Sequence, residues 1–254
     1  MQLKLEICVD SLESAVNAER GGADRIELCS SLCLGGLTPS IGLLKSVKKH
    51  SLIPVFCMIR CRHVHFVYTQ SEMAVMIEDL VSLKQAGADG FVFGALTENG
   101  DVDEMNCATI ISQAAPLPVT FHRAFDCSPS DKWKTNLNKI ITLGFTRLLT
   151  SGLSATAIQG VEIIRRVIRE AAGRLIILIG SGVDERNLVD LMKATGVKAV
   201  EYHGSASDPE NSVACARHPV FDSPNGLKRT SIGKVQKMRA ILNEYREPQK
   251  EEHL

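Results

Sequence analysis

The chain has no surplus of charge of either sign: 29 basic and 29 acidic side chains cancel. Nothing in that balance points to a general binder of nucleic acid or of an acidic membrane surface. Long apolar runs are also missing. Stretches such as Leu175 to Ile179 are far too short to span a bilayer. The N-terminal MQLKLEICVD lacks a basic region followed by an apolar core, so no signal peptide is expected. The eight cysteines are scattered, and several fall inside apolar strand patterns. Reduced thiols are expected there rather than a disulfide framework. The expected location is the cytosol, with the nucleus also open to so small a protein. The single tryptophan, Trp133, and the methionines read most simply as packing residues.

What is present suits one α/β domain. The 254 residues are 44% hydrophobic and 23% charged, an ordinary globular composition. One pattern recurs: GADRIEL from Gly22, GADGFVF from Gly87, GFTRLLT from Gly144 and GVKAVEY from Gly196. Each places a glycine at a helix end, a short link and then a strand. The intervals are about twice one βα unit, and another strand pattern lies in each: PVFCMIR, PVTFHRAF and RLIILIGSG. With LKLEICV at the start, eight strands alternate with helices. That spacing implies a closed (β/α)8 TIM barrel spanning residues 1–254 as a single domain. A long loop is expected over about 204–230, a last helix from Ser231 to Tyr245, and a loose tail over about 246–254. Asp10 with Glu13 reads as a capping box for the first helix. Thr38-Pro39 reads as the start of the second, and Asp184 as the cap of the seventh.

Alternation along each strand separates the inward from the outward side chains. Leu5, Ile7 and Val9 face the helices, so Glu6 and Cys8 point into the barrel. Ile26 and Leu28 do the same in the second strand, leaving Glu27 and Cys29 inward. Arg60 ends the third strand, with Arg62 following. His122 ends the fifth, with Arg123 beside it. Glu201 and His203 share the inward parity of the eighth. Barrel interiors are usually filled by branched apolar side chains. Carboxylates, thiols and imidazoles there are costly unless paired or used. The glutamates have candidate partners in Arg25, Arg60 and Arg123, which would make a satisfied interior network. Cys57 and Cys107 read as small buried hydrophobes, and His63 and His65 as a solvated loop.

At these residues the chain resembles the CutC copper-homeostasis family. The resemblance is carried by EICVDSLESAVNAERGGADRIELCSSL, GGLTPSIGLL, PVFCMIRCR, GADGFVFGALTENGDVD, LPVTFHRAFD and TLGFTRLLTSG, and later by RNL at Arg186 and EYHGSAS at Glu201. It implies a TIM barrel linked to copper tolerance, Cu(I) binding and a homo-oligomer. The chain departs from the family pattern at Arg60-Cys61-Arg62, at Ile179-Gly180-Ser181-Gly182 and at Ser207.

Two ligand chemistries follow, and a third role as an interaction scaffold stands behind them. Cu(I) is soft and prefers thiolates. Neighbouring strands lie about 4.8 Å apart, so Cys8 and Cys29 are expected to ligate Cu(I) if the register aligns them. Alternatively, the barrel is an enzyme acting on a small anionic or phosphorylated metabolite. Arg60 and Arg123 would then hold the anion, with Arg62 nearby. The loop Gly180-Ser181-Gly182, after strand seven, would supply backbone N–H groups. Glu27 and His122 would be the candidates for acid–base work, and Glu6, Glu201 and His203 would line the ligand site.

Overall fold

The aliphatic members of each strand turn outward onto a shell of helices, and that choice closes the sheet. A computed structural model describes residues 3–198, 200–208 and 228–245. In chain order the barrel units are β1 (Leu5–Val9), α1 (Leu12–Arg20), β2 (Arg25–Leu28), α2 (Ile41–His50), β3 (Val55–Met58), α3 (Gln70–Gln85), β4 (Gly90–Phe93) and α4 (Glu104–Ala114). They continue with β5 (Val119–Phe121), α5 (Trp133–Leu143), β6 (Arg147–Thr150), α6 (Val161–Ala171), β7 (Ile176–Ile179), α7 (Leu188–Thr195) and β8 (Val200–Gly204). All eight strands are parallel and β8 pairs back onto β1, a closed (β/α)8 barrel. A short antiparallel ribbon, β9 (Ser207–Asp208) with β10 (Arg229–Thr230), then leads into α8 (Ile232–Glu244). The ribbon falls inside the stretch expected as loop. Its anchors are α1 side chains: Thr230 N–H donates to Ser14 Oγ, and Asn17 donates to the Thr230 carbonyl. The rest of that stretch, 209–227, and the tail 246–254 lie outside the described residues. Among the described residues, no helix is long and apolar enough to cross a membrane.

Two separate apolar cores result. The larger lies between barrel and helices and takes Leu5, Ile7 and Val9 from β1, Ile26 and Leu28 from β2, and Phe91 and Phe93 from β4. Met73, Met76, Leu80 and Leu83 of α3 meet it, as their spacing predicts. The smaller core is Cys29, Phe56, Met58 and Val92, all of inward parity, so it sits inside the barrel. Only part of the interior is therefore apolar.

The helix starts differ from the expected caps. Ser11, not Asp10, caps α1 by accepting from Ser14 N–H, and Asp10 accepts from Leu32 N–H instead. Ser40, not Thr38, caps α2, and the Thr38 hydroxyl receives the Arg60 N–H. Asp184 lies one turn before α7, whose first flanking residue is Asn187. In each case the expected side chain accepts a different backbone N–H instead, from Leu32, Arg60 and Arg186 respectively. At the other helix end, Gly144 stops α5 at φ +89° with its N–H on Ile140 and Ile141 carbonyls, the left-handed stop the sequence implies.

Gly90 shows how tightly the interior is filled. A Cβ there would stand 2.6 Å from Phe56 Cζ, and that ring already lies beneath the guanidinium groups of Arg25 and Arg147, at 5.1 and 5.4 Å. Gly90→Ala is expected to destabilise the fold by about 1–3 kcal/mol through overpacking. Chemical denaturation checks this: the midpoint drops, whereas an unchanged midpoint would mean that the ring can move aside.

Candidate metal centre

Inside the barrel, Arg25 at the start of β2 bonds both Glu6 of β1 and Glu201 of β8. Arg147, at the start of β6, reaches Glu201 at 3.0 Å. All four side chains are largely or wholly shielded from solvent. Burial alone would push the Glu6 carboxyl up, but the Arg25 charge and the His203 contacts outweigh it and hold the pKa low. Burial likewise opposes the Arg25 charge, and Glu6 and Glu201 overcome it. Glu6 and Glu201 thus belong to an ion network low in the barrel. Arg147 was absent from the sequence reading, although Leu148 faces outward and so assigns Arg147 the inward parity.

Glu6 has a second task. Its other oxygen lies 2.7 Å from His203 Nδ1, which turns His203 Nε2 toward Glu27 at 3.8 Å. The β1–β2 register sets Cys8 opposite Glu27 and places Cys29 two residues further toward the mouth. One ligand atom from each of Cys8, Glu27 and His203 lies within 4.8 Å of the others. Cys29 joins from the side, its thiol 3.7 Å from Glu27 Oε2. Burial, then the Glu27 charge, pushes the Cys29 thiol well up. Burial raises Glu27 against the pull of His203. Burial would lower His203, but the neighbouring Cys8 and Glu27 raise it well above its ordinary value. Gly180 lets this strand end approach, since a Cβ there would meet His203 at 3.2 Å.

The other expected residues divide. Arg60 and His122 face the interior and are buried, and each packs against the Phe66 ring at 4.8 Å. The charged and polar groups around Glu27 are His203, Glu6, Cys29 and Arg25, and the charge felt by His122 is that of Arg60. Arg62 is bound to Glu72 and to the carbonyls of His65 and Val67. Arg123 does not reach inward; it holds Asp126 at 2.8 Å and the Ser151 hydroxyl at 2.8 Å. Ser181 donates to the Ala155 carbonyl and Gly182 accepts from Asn187, so this loop is tied to its own neighbours. His63 and His65 are exposed, as a solvated loop should be.

The comparisons agree with this architecture. The CutC family model matches residues 3–208. A "Copper homeostasis protein cutC homolog" of Homo sapiens is 46% identical, covering 93% of this chain and 88% of its own length. The Caenorhabditis elegans protein of that name is also 46% identical, covering 95% and 96%. Among solved structures, the CutC barrel of Streptococcus agalactiae superposes with a TM-score of 0.75 at 32% identity, covering 80% of this chain and 98% of that one. The 3-hexulose-6-phosphate synthase of Salmonella typhimurium, at 16% identity and a TM-score of 0.59, shares the fold alone.

His122 gives this site a pH signature. Burial, then the Arg60 charge, lowers its pKa from 6.5 to about 3. Between those values the unfolded chain takes up a proton that the folded chain refuses. Stability conferred by the neutral ring is complete above pH 6.5 and declines as pH falls toward 3, by up to about 1.4 kcal/mol per pH unit. Denaturation of the parent and of His122→Gln between pH 7 and 4 is expected to show the smaller acid loss in the variant. Parallel curves would contradict it.

Proposed function

Because the chain belongs to the CutC copper-homeostasis family, we propose that it binds Cu(I) as cargo inside the barrel mouth, through Cys8 and Cys29 with His203 as a nitrogen donor. The observation that carries this reading is the convergence of Cys8, Glu27 and His203 on one point. Thiolate and imidazole are donors of the softness that Cu(I) takes, whereas a carboxylate is a harder one. Glu27 therefore serves better as the acceptor of the Cys29 proton than as a ligand, and its contact with that thiol fits the role.

Glu6 supports the same reading. A ligating histidine ordinarily gives its other ring N–H to a carboxylate, which fixes its orientation. His203 Nδ1 already faces Glu6, leaving Nε2 toward Cys8 and Glu27. Burial and neighbouring charges favour the protonated form of Cys29, and neighbouring charges, outweighing burial, favour that of His203. Binding must displace those protons, so affinity rises with pH by about tenfold per unit for each proton released.

Titration of the reduced protein with Cu(I) against a competing chelator tests the assignment. Cys8→Ser and His203→Gln are each expected to weaken binding at least tenfold, and Cys8→Ser/Cys29→Ser to abolish it. An unchanged affinity in the double variant would sink the proposal. An effect of Cys8→Ser without one of Cys29→Ser would leave Cys8 and His203 as the ligands and remove Cys29.

A further inference from the structure

Arg60 is a buried cation without a counter-ion. It is 6% exposed, and the ion pairs of the barrel interior and mouth go to Arg25, Arg147, His203, Arg62 and Arg123. Among the described residues, none includes Arg60. Its Nη1 donates to three carbonyls, Leu34 at 3.4 Å and Gly35 and Gly36 at 3.3 Å. Its Nε–H has no acceptor. Carbonyl dipoles and the Phe66 face stabilise a guanidinium but do not neutralise it, and buried charges are ordinarily paired.

His122, packed against the same Phe66 ring, also has an unmet donor. It is 3% exposed. Its Nδ1 accepts from Ala124 N–H at 3.2 Å, so the neutral ring carries its proton on Nε2. That Nε2–H is buried and unsatisfied. The ring is admitted by Gly94, where a Cβ would stand 2.6 Å from Nδ1. Arg60 Nε–H and His122 Nε2–H are thus two buried donor atoms against the same ring, and neither of these two atoms has an acceptor in the protein. Leaving such donors unmet is costly, whereas an acceptor-only anion satisfies both.

We propose that Arg60 and His122 form the binding site of a small ligand bearing a single carboxylate, distinct from the sulfur donors of Cys8 and Cys29. Charge favours a carboxylate over phosphate. One guanidinium balances one negative charge, and a phosphate dianion would leave a second beside an interior that already holds Glu6 and Glu27. Shape favours it as well. Nη1 is engaged by the carbonyls, and the Nε side of the guanidinium is a fork that matches a planar carboxylate. The neutral imidazole then adds a hydrogen bond without adding charge.

The test uses the full reduced chain, labelled with ¹⁵N-histidine and free of copper. Sodium acetate is titrated at constant ionic strength, with sodium phosphate and sodium chloride as parallel arms. Acetate is expected to shift the His122 Nε2 resonance saturably, and Arg60→Gln to weaken that response at least tenfold. Where Arg60→Gln fails to fold, the parent titration and the conservative Arg60→Lys decide, since lysine keeps the charge and lacks the fork. Saturation by phosphate with no response to acetate would overturn the carboxylate assignment. A His122 signal unmoved by any of the anions would overturn the site. Cu(I) affinity unchanged in Arg60→Lys is expected and separates this site from the copper proposal.

Discussion

The bond between Arg25 and Glu6 is the contact on which the interior depends. An isolated carboxylate there would protonate, and an isolated guanidinium would not be tolerated. Together with Glu201 and Arg147 they form a chain of two cations and two anions across four strands, which His203 extends at Glu6. Phe56 supports both guanidinium groups from one side. The anchored Glu6 then has an oxygen free for His203. The position of that imidazole follows from the salt bridge below it, and the convergence with Cys8 and Glu27 follows from the imidazole. Removing one partner of such a buried pair costs about 3–5 kcal/mol, because the other charge is stranded.

Above the network the mouth divides into two chemistries. On the β1, β2 and β8 side stand thiols, a carboxyl and an imidazole, with protons held where a metal must displace them. On the β3 and β5 side stand Arg60 and a neutral His122 around an aromatic ring. The internal apolar group of Cys29, Phe56, Met58 and Val92 fills space between strands of these two halves. The loop at Leu34 to Gly36 joins them physically. Its carbonyls hold Arg60, while a Cβ on Gly36 would touch Cys29 Sγ at 3.0 Å.

Much of this was legible in the residues. Outward Leu5, Ile7 and Val9 told that Glu6 and Cys8 face inward, and the same parity placed Glu27, Glu201 and His203 correctly. Strand alternation is strict, so facing can be read from a single strand. Relative height cannot, because parallel register depends on the neighbouring strand. Hence Cys8 meets Glu27, and Cys29 lies two residues higher. Arg147 has the inward parity, since Leu148 faces outward, but it stands at the opposite end of its strand from the mouth, where the strand-end pattern gives no signal. The partners of Arg62 and Arg123 are Glu72 in the first turn of α3 and Asp126 in a short 3-10 helix after β5, which strand parity does not address. The caps of α1 and α2 moved by one or two residues for a similar reason. Several small polar side chains competed for the same backbone N–H groups, and tertiary donors decided between them.

X-ray absorption at the copper edge, on the reduced and Cu(I)-loaded full chain, tests the central claim most directly. The account predicts a shell of sulfur with one imidazole, the imidazole signal being lost in His203→Gln and a sulfur being lost in Cys8→Ser. Spectra that stay the same in both variants would mean that copper is held by other cysteines, and would contradict it.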